Sequence, residues 1–182
     1  MSRILPYVQL TLIWIGAVCA MAGCARPTAP VPVVVLEATL LHHGMGQEAE
    51  CLLVRLTEDG KIEWDEWKAF PASERHTGSV SANVVSEVQH ALNTVDQSLF
   101  RSQLGPYYVY IDTSDELQVR MKTKTGPVEF RLINPWSSGI TAMPQKPMPT
   151  DVRIVFCEID TLYAKNANHA VDEACKTNDS PR

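Results

Sequence analysis

Residues 117–122 read Leu-Gln-Val-Arg-Met-Lys, an alternation in which each apolar side chain is followed by a polar one. Successive side chains on a strand point to opposite faces, so this segment demands a sheet with one face buried and one in water. Val128, Phe130 and Leu132 repeat the pattern against Glu129 and Arg131, after the turn-forming stretch Lys124-Thr125-Gly126-Pro127. Something must cover the dry face, and the sequence supplies two helical stretches. From about Ser81 to Asn93, with Val95 just beyond, the residues Val84, Val85, Val88, Ala91, Leu92 and Val95 fall on one stripe. A second helix is expected from Asp151 to about Lys165, capped by Thr150, with Val152, Val155, Phe156, Ile159 and Tyr163 on its apolar face.

The remaining segments extend the sheet. Val33 to Leu41 is an apolar, β-branched run, and Glu50 to Leu56 alternates. Glu58-Asp59-Gly60 has hairpin chemistry, with Lys61 to Phe70 as the partner strand and Pro71 to Gly78 as a polar loop. Tyr107 to Thr113 adds a strand, closed by a turn at Ser114-Asp115-Glu116, and residues 134–149 form a long proline-bearing loop. The expected fold class is therefore α+β: an antiparallel sheet of about six strands with two helices packed on one face, in βββα-βββα order. The two halves share no matching residues.

Ahead of this domain lies a different kind of segment. Met1-Ser2-Arg3 carries one positive charge, residues 4–22 are mainly apolar, and no acid occurs before Glu37. That is the layout of a secretory signal. The apolar stretch stops at Met21-Ala22-Gly23-Cys24, which resembles the lipobox of bacterial lipoprotein precursors, with Met21 in place of the family's usual leucine. The resemblance covers the first 24 residues and implies a diacylglycerol on the Cys24 thiol, cleavage before it, and acylation of the new amino end. Several acyl chains on one cysteine give stable anchoring, where a single chain binds only marginally. Ala25 stands where inner-membrane lipoproteins often carry Asp, which points to the periplasmic face of an outer membrane. Ala20-Met21-Ala22 also fits an ordinary cleavage site, which would release a soluble secreted protein, and an uncleaved helix is the third alternative.

The expected organisation is a signal peptide at 1–23, a lipidated cysteine with a proline-rich tether at 24–32, a domain at 33–166 and a polar tail at 167–182, mobile apart from whatever Cys175 fixes. Extended at about 3.1 Å per residue, the eight residues 25–32 reach roughly 25 Å. Removing 1–23 leaves 159 of 182 residues, enough for one domain with a core. Their 15 basic and 21 acidic side chains give a net charge of −6, which argues against nucleic acid or an anionic lipid surface as partner. Besides Cys24 the mature chain keeps Cys51, Cys157 and Cys175, so one disulfide and one free thiol are expected in an oxidising compartment. Cys157 lies off the apolar helix face and is the expected bridge former, with either Cys51 or Cys175 as its partner. No C-x-x-C or closely spaced Cys/His set is present, so no metal and no cofactor is expected.

Chemical motifs are sparse. Gly44-x-Gly46 follows a strand but precedes another strand, so it cannot set a phosphate on a helix N-terminus. His42 and His43 are neighbours in a connection and would face apart on a strand. Trp64-Asp65-Glu66-Trp67 brings two carboxylates together in sequence, yet adjacent strand residues cannot bracket one bond. Its reading is one tryptophan in the core and one, Trp67, exposed. Alternation puts Tyr108 with Tyr110 opposite Val109 and Ile111, so Trp67, Tyr108 and Tyr110 are the candidate binding surface, on the open sheet face with its Arg and Lys residues. No catalytic residue is signalled: there is no G-x-S-x-G, and His76 and His90 read as solvated. The expected function is a non-catalytic, membrane-tethered envelope domain that binds an envelope protein or glycan. The alternatives are an envelope hydrolase with a site between loops 42–49 and 134–149, and an inhibitor of a partner protein. A concave pocket with converging polar groups would favour the enzyme, a flat aromatic patch the binding module and a protruding rigid loop the inhibitor.

Overall fold

A computed structural model of the chain describes residues 31–44, 47–66, 74–100, 103–109, 113–136 and 143–176. The signal segment, Cys24, nearly all of the tether, Trp67 and Tyr110 lie outside these. In chain order the strands are β1 (Val34–Gly44), β2 (Gln47–Thr57), β3 (Lys61–Glu66) and β4 (Glu74–Ser79), then β5 (Gln103–Leu104), β6 (Tyr108–Val109), β7 (Thr113–Thr123), β8 (Gly126–Ile133) and β9 (Met143–Pro144). The helices are α1 (Ala82–Thr94), α2 (Thr150–Ala167) and the single turn α3 (Glu173–Lys176), with a 3₁₀ turn at Gln97–Leu99. Among the described residues no helix is long and apolar enough to cross a membrane.

The fold is α+β, built on a mixed, mostly antiparallel seven-stranded sheet in the order β4-β3-β2-β1-β7-β8-β5. β1 is its centre. It pairs with β2 from Val34 to Gly44 and with β7 from Leu36 to Gly44, so the two halves of the chain join through β1 and β7.

Four features correct the sequence expectation of six antiparallel strands in βββα-βββα order. Glu74–Ser79, expected as loop, is strand β4; its sequence Glu-Arg-His-Thr-Gly-Ser has no alternation because it forms an edge that buries little. His42-His43-Gly44 and Ser114-Asp115-Glu116, expected as connections, are residues of the paired strands β1 and β7, with His42 opposite Asp115 and His43 opposite Ser114, because β1 runs three residues further than its apolar run. The expected strand Tyr107 to Thr113 divides: Tyr108–Val109 leaves the main sheet to pair with β9. Finally, β5 runs parallel to β8 over Gln103 and Leu104.

The helices cover the face on which Leu36, Ala38 and Leu40 of β1 align with Leu117, Val119 and Met121 of β7 and with Phe130 and Leu132 of β8. Ser81 caps α1 through its side chain, as serine does at helix starts, and α1 buries Val85, Val88 and Leu92. Fully burying a side chain of this kind is worth about 1.5–3 kcal/mol. α2 begins at Thr150 itself, with Pro149 at the cap position and no side-chain cap bond. Asp151 in its first turn instead accepts a hydrogen bond from the Asp96 backbone N–H at 2.9 Å. Val152, Val155, Phe156 and Ile159 of α2 are wholly buried in the same core. Beyond α2 the chain is pinned: Cys157 and Cys175 form a disulfide, with Cα atoms 5.3 Å apart, that ties α3 back to α2.

Candidate functional site

The inner face of the sheet is apolar along most of its length but ends in polar groups. His42 is in phase with Ala38 and Leu40, near the C-terminal end of β1, and the register sets it directly across from Asp115. Eight residues after Val34 at about 3.3 Å each, it lies some 26 Å along the strand from where β1 begins. Its Nδ1 sits 2.6 Å from Asp115 Oδ1. Asn134, buried and with φ 46°, fixes the Asp115 backbone from the end of β8. Its Oδ1 accepts the Asp115 N–H and its own N–H donates to the Asp115 carbonyl, each at 2.7 Å. Gly44 leaves space beside the imidazole: a Cβ there would lie 2.8 Å from His42 Nε2 and 3.0 Å from Thr113 Cγ2.

The opposite wall comes from α2 and the segment after it. Phe156, Ile159, Asp160 and Tyr163 share the inward stripe, so a carboxylate is carried into the core side of the helix. Asp160 is only 5% exposed. Its Oδ2 accepts the Asp172 backbone N–H at 2.7 Å, and its carboxylate accepts a hydrogen bond from the Trp136 indole. Asn168 turns the chain through a left-handed conformation (φ 52°), which returns His169 to Tyr163 with ring centroids 5.8 Å apart. Trp136 stands edge-on to Phe156 at 5.7 Å. Together Leu40, Leu53, Trp136, Phe156, Ile159 and Tyr163 form an apolar cleft of about 300 Å³ into which His42, Asp115, Asp160 and His169 open.

Charge in this cleft is lopsided. Burial pushes the Asp160 carboxyl above the usual range, and repulsion from Asp172 adds to that; the Asp172 N–H, His169 and the Trp136 N–H pull the other way without cancelling it. Among the described residues that line the cleft there is no lysine, arginine, serine, threonine or cysteine. No group of three or more His, Cys, Asp or Glu among the described residues could hold a metal ion.

The other face of the sheet is built differently. Cross-strand register forms one row, Glu63–Arg55–Glu37–Arg120–Glu129, alternating in sign over five strands. Arg55 bonds both Glu37 and Glu63, Arg120 Nε lies 2.7 Å from Glu129, and Arg131 Nη1 lies 3.3 Å from Glu116. The basic residues expected to offer a binding face are thus spent on glutamates of the same face.

Of the sequence-derived candidates, the structure brings Cys175 to Cys157, and Cys51 is a free, buried thiol. Burial, with a smaller contribution from Asp65, pushes the Cys51 thiol up to about 12, so it is inert. Tyr108 is half-buried, packed against the hydrophobic core, and belongs to the small β6–β9 pair rather than to the open sheet face. Tyr107, its neighbour, is buried with Lys146 Nζ 5.5 Å from its ring centroid. Cys24, Trp67 and Tyr110 lie outside the described residues. His76, expected in a solvated loop, is on β4 and stacks on Trp64 with ring centroids 5.6 Å apart. Comparison with known proteins yields no matching family model and no matching curated protein.

Proposed function

We propose that this chain is a cell-envelope lipoprotein, anchored through Cys24, whose domain is a non-catalytic binding module with the His42–Asp160 cleft as its site. The lipobox at Met21–Cys24 supports the anchor, and Ala25 supports the periplasmic face of an outer membrane. One observation carries the choice of surface: the cleft is the described place where apolar walls and buried ionisable groups converge. Binding pockets have this make-up, with few polar groups placed on mostly apolar walls. The open sheet face holds a shallow polar depression, but its arginines are already paired with glutamates of the same face.

A binding role fits better than catalysis because the described lining residues supply no hydroxyl or thiol nucleophile beyond the Tyr163 phenol, and Asp160 is held by fixed backbone and indole donors. One observation favours the second reading, an envelope hydrolase. His42 and Asp115 form the base-and-orienter pair that general-base catalysis uses, in a concave site at the end of β1 that Trp136 also lines.

The test is photo-crosslinking of the full-length chain in its native envelope, with the reactive residue at His169 on the cleft rim or at Gln118 on the open face. A macromolecular or small-molecule adduct from position 169 alone is expected; adducts from 118 alone would overturn the choice of site. In the same cells Cys24→Ser should abolish lipid labelling and move the protein to the soluble fraction. Unchanged membrane retention would contradict the anchor. Hydrolysis of ester or amide probes that disappears in His42→Ala would establish the enzyme reading instead.

A further inference from the structure

We infer that the ligand of the cleft is a compact amphipathic amine, an ammonium group on an aromatic or branched aliphatic body, held between Asp115 and Asp160. This deepens the binding reading and rests on it. Asp115 and Asp160 put two carboxylates on the lining; the imidazoles of His42 and His169 stand beside them, and among the described lining residues no lysine or arginine opposes them. A carboxylate, phosphate or sulfate ligand would find no guanidinium or ammonium to pair with and would face two acids. An ammonium meets the reverse situation.

The donors that hold Asp160 are neutral, a backbone N–H from Asp172 and an indole N–H from Trp136. They satisfy its hydrogen-bonding geometry without bringing a positive charge, and the attraction of His169 does not cancel the effect of burial. A charge buried to this degree is costly unless paired, so a cationic ligand removes a penalty that the folded protein otherwise bears. The walls suit the rest of such a ligand. Trp136, Phe156 and Tyr163 present aromatic rings, whose faces attract cations and whose bodies accept an apolar group. At about 300 Å³ the cleft is at the small end of ligand sites, which limits the occupant to roughly ten heavy atoms, as in a phenylalkylamine.

Isothermal titration of the detergent-solubilised full chain with 2-phenylethylamine and with its anionic counterpart 3-phenylpropionate tests this directly. Binding of the amine at least tenfold tighter than the acid, and weakened at least tenfold by Asp160→Asn, is the expected result. Asp115→Asn provides the second variant, and near-ultraviolet circular dichroism verifies that both are folded. Equal affinity for the two probes, preference for the acid, or no binding of either overturns the amine assignment. A third arm separates that failure from failure of the cleft itself. Leu40→Trp fills the cleft from β1, and its effect is read on the crosslinked adduct at position 169. Loss of the adduct without amine binding leaves the cleft as the site and the amine class wrong. An unchanged adduct in Leu40→Trp removes the cleft, and the amine with it.

Discussion

Two buried aspartates on opposite sides of the sheet have opposite fates. Asp65, 3% exposed, is in phase with Lys61 and Glu63 and sits across from Arg75 where β3 meets β4. Arg75 grips it with Nε at 2.6 Å and Nη2 at 3.1 Å, and the Leu52 backbone N–H donates to it at 2.8 Å. Burial pushes the Asp65 carboxyl up, but the Arg75 guanidinium and the Leu52 N–H outweigh it, so it lies below the usual carboxylate range. Asp160, also buried, has hydrogen bonds and the imidazole of His169 but no guanidinium to grip it, and it moves the other way. The difference separates a clamp from a site. Asp65 repairs the sheet where β2 bulges: the β1 register jumps from Ala38↔Val54 to Thr39↔Leu52, and β2 and β3 pair through backbone at Arg55–Glu63 and Leu56–Ile62. Asp160 leaves a charge deficit inside a cavity, which a clamp has no reason to do.

The largest way to disturb the cleft side is to cut its covalent tie. Cys175→Ser opens a bridge spanning 18 residues, and the loop-closure account predicts a loss of about 3 kcal/mol in denaturant unfolding. It also releases the segment that presents the Asp172 N–H to Asp160, so the cleft should loosen before the sheet does, read as faster amide exchange at residues 169–176.

On the clamp side, Asp65→Ala strands a buried N–H and a guanidinium that is about half exposed, and should cost about 2–3 kcal/mol. The pH dependence has a definite sign. A carboxyl whose folded-state pKa is depressed stabilises the fold above its unfolded pKa, near 3.9, and loses that contribution as pH falls through the folded value. The gap between wild type and Asp65→Ala should therefore be full at pH 7 and close on acidification. A gap that persists in acid would show that packing rather than charge carries Asp65.

Gly44→Ala probes the placement of His42. The added Cβ would collide with an imidazole held by Asp115, so it should displace the ring, break the His42–Asp115 contact and cost about 1–2 kcal/mol. A changed His42 ring resonance with β1 and β7 amides unshifted would check it.

Asp160→Asn should have the smallest effect, within about 1 kcal/mol of wild type at pH 7, since losing one acceptor offsets removing a buried charge. Its slope is diagnostic. For a raised pKa the stabilising contribution is present below the unfolded value and lost as pH rises through the folded one. Relative to wild type, the Asn variant should therefore gain stability as pH rises, opposite in sense to Asp65→Ala.

Much of the fold was legible because its signals are periodic. The alternation of Leu117, Val119 and Met121 and the stripe of Val85, Val88 and Leu92 are where one-sided burial leaves a pattern. β4 was not legible, since an edge strand reading Glu-Arg-His-Thr-Gly-Ser has no buried face to write one. The ends of β1 and β7 hid in turn-like sequence for a related reason: their polar residues satisfy one another across the register rather than facing solvent in a loop. The cleft carried a readable clue in Asp160, an acid on the stripe defined by Phe156, Ile159 and Tyr163. His42 likewise continues the inward phase of Ala38 and Leu40. What sequence could not supply was the pairing that puts Asp115 across from His42, or the return of the chain that brings Asp172 to Asp160. Both depend on contacts distant along the chain.

The contrast between clamp and cleft reduces to one titration. With ¹³C-labelled aspartate in the folded protein and Asp65→Asn and Asp160→Asn for assignment, the carboxyl resonances can be followed by NMR from pH 2 to 8. Asp65 should titrate below the ordinary carboxylate range and Asp160 above it. If Asp160 titrates at or below that range, its charge is already compensated within the protein, and the cleft loses its claim to be a site that awaits a cation.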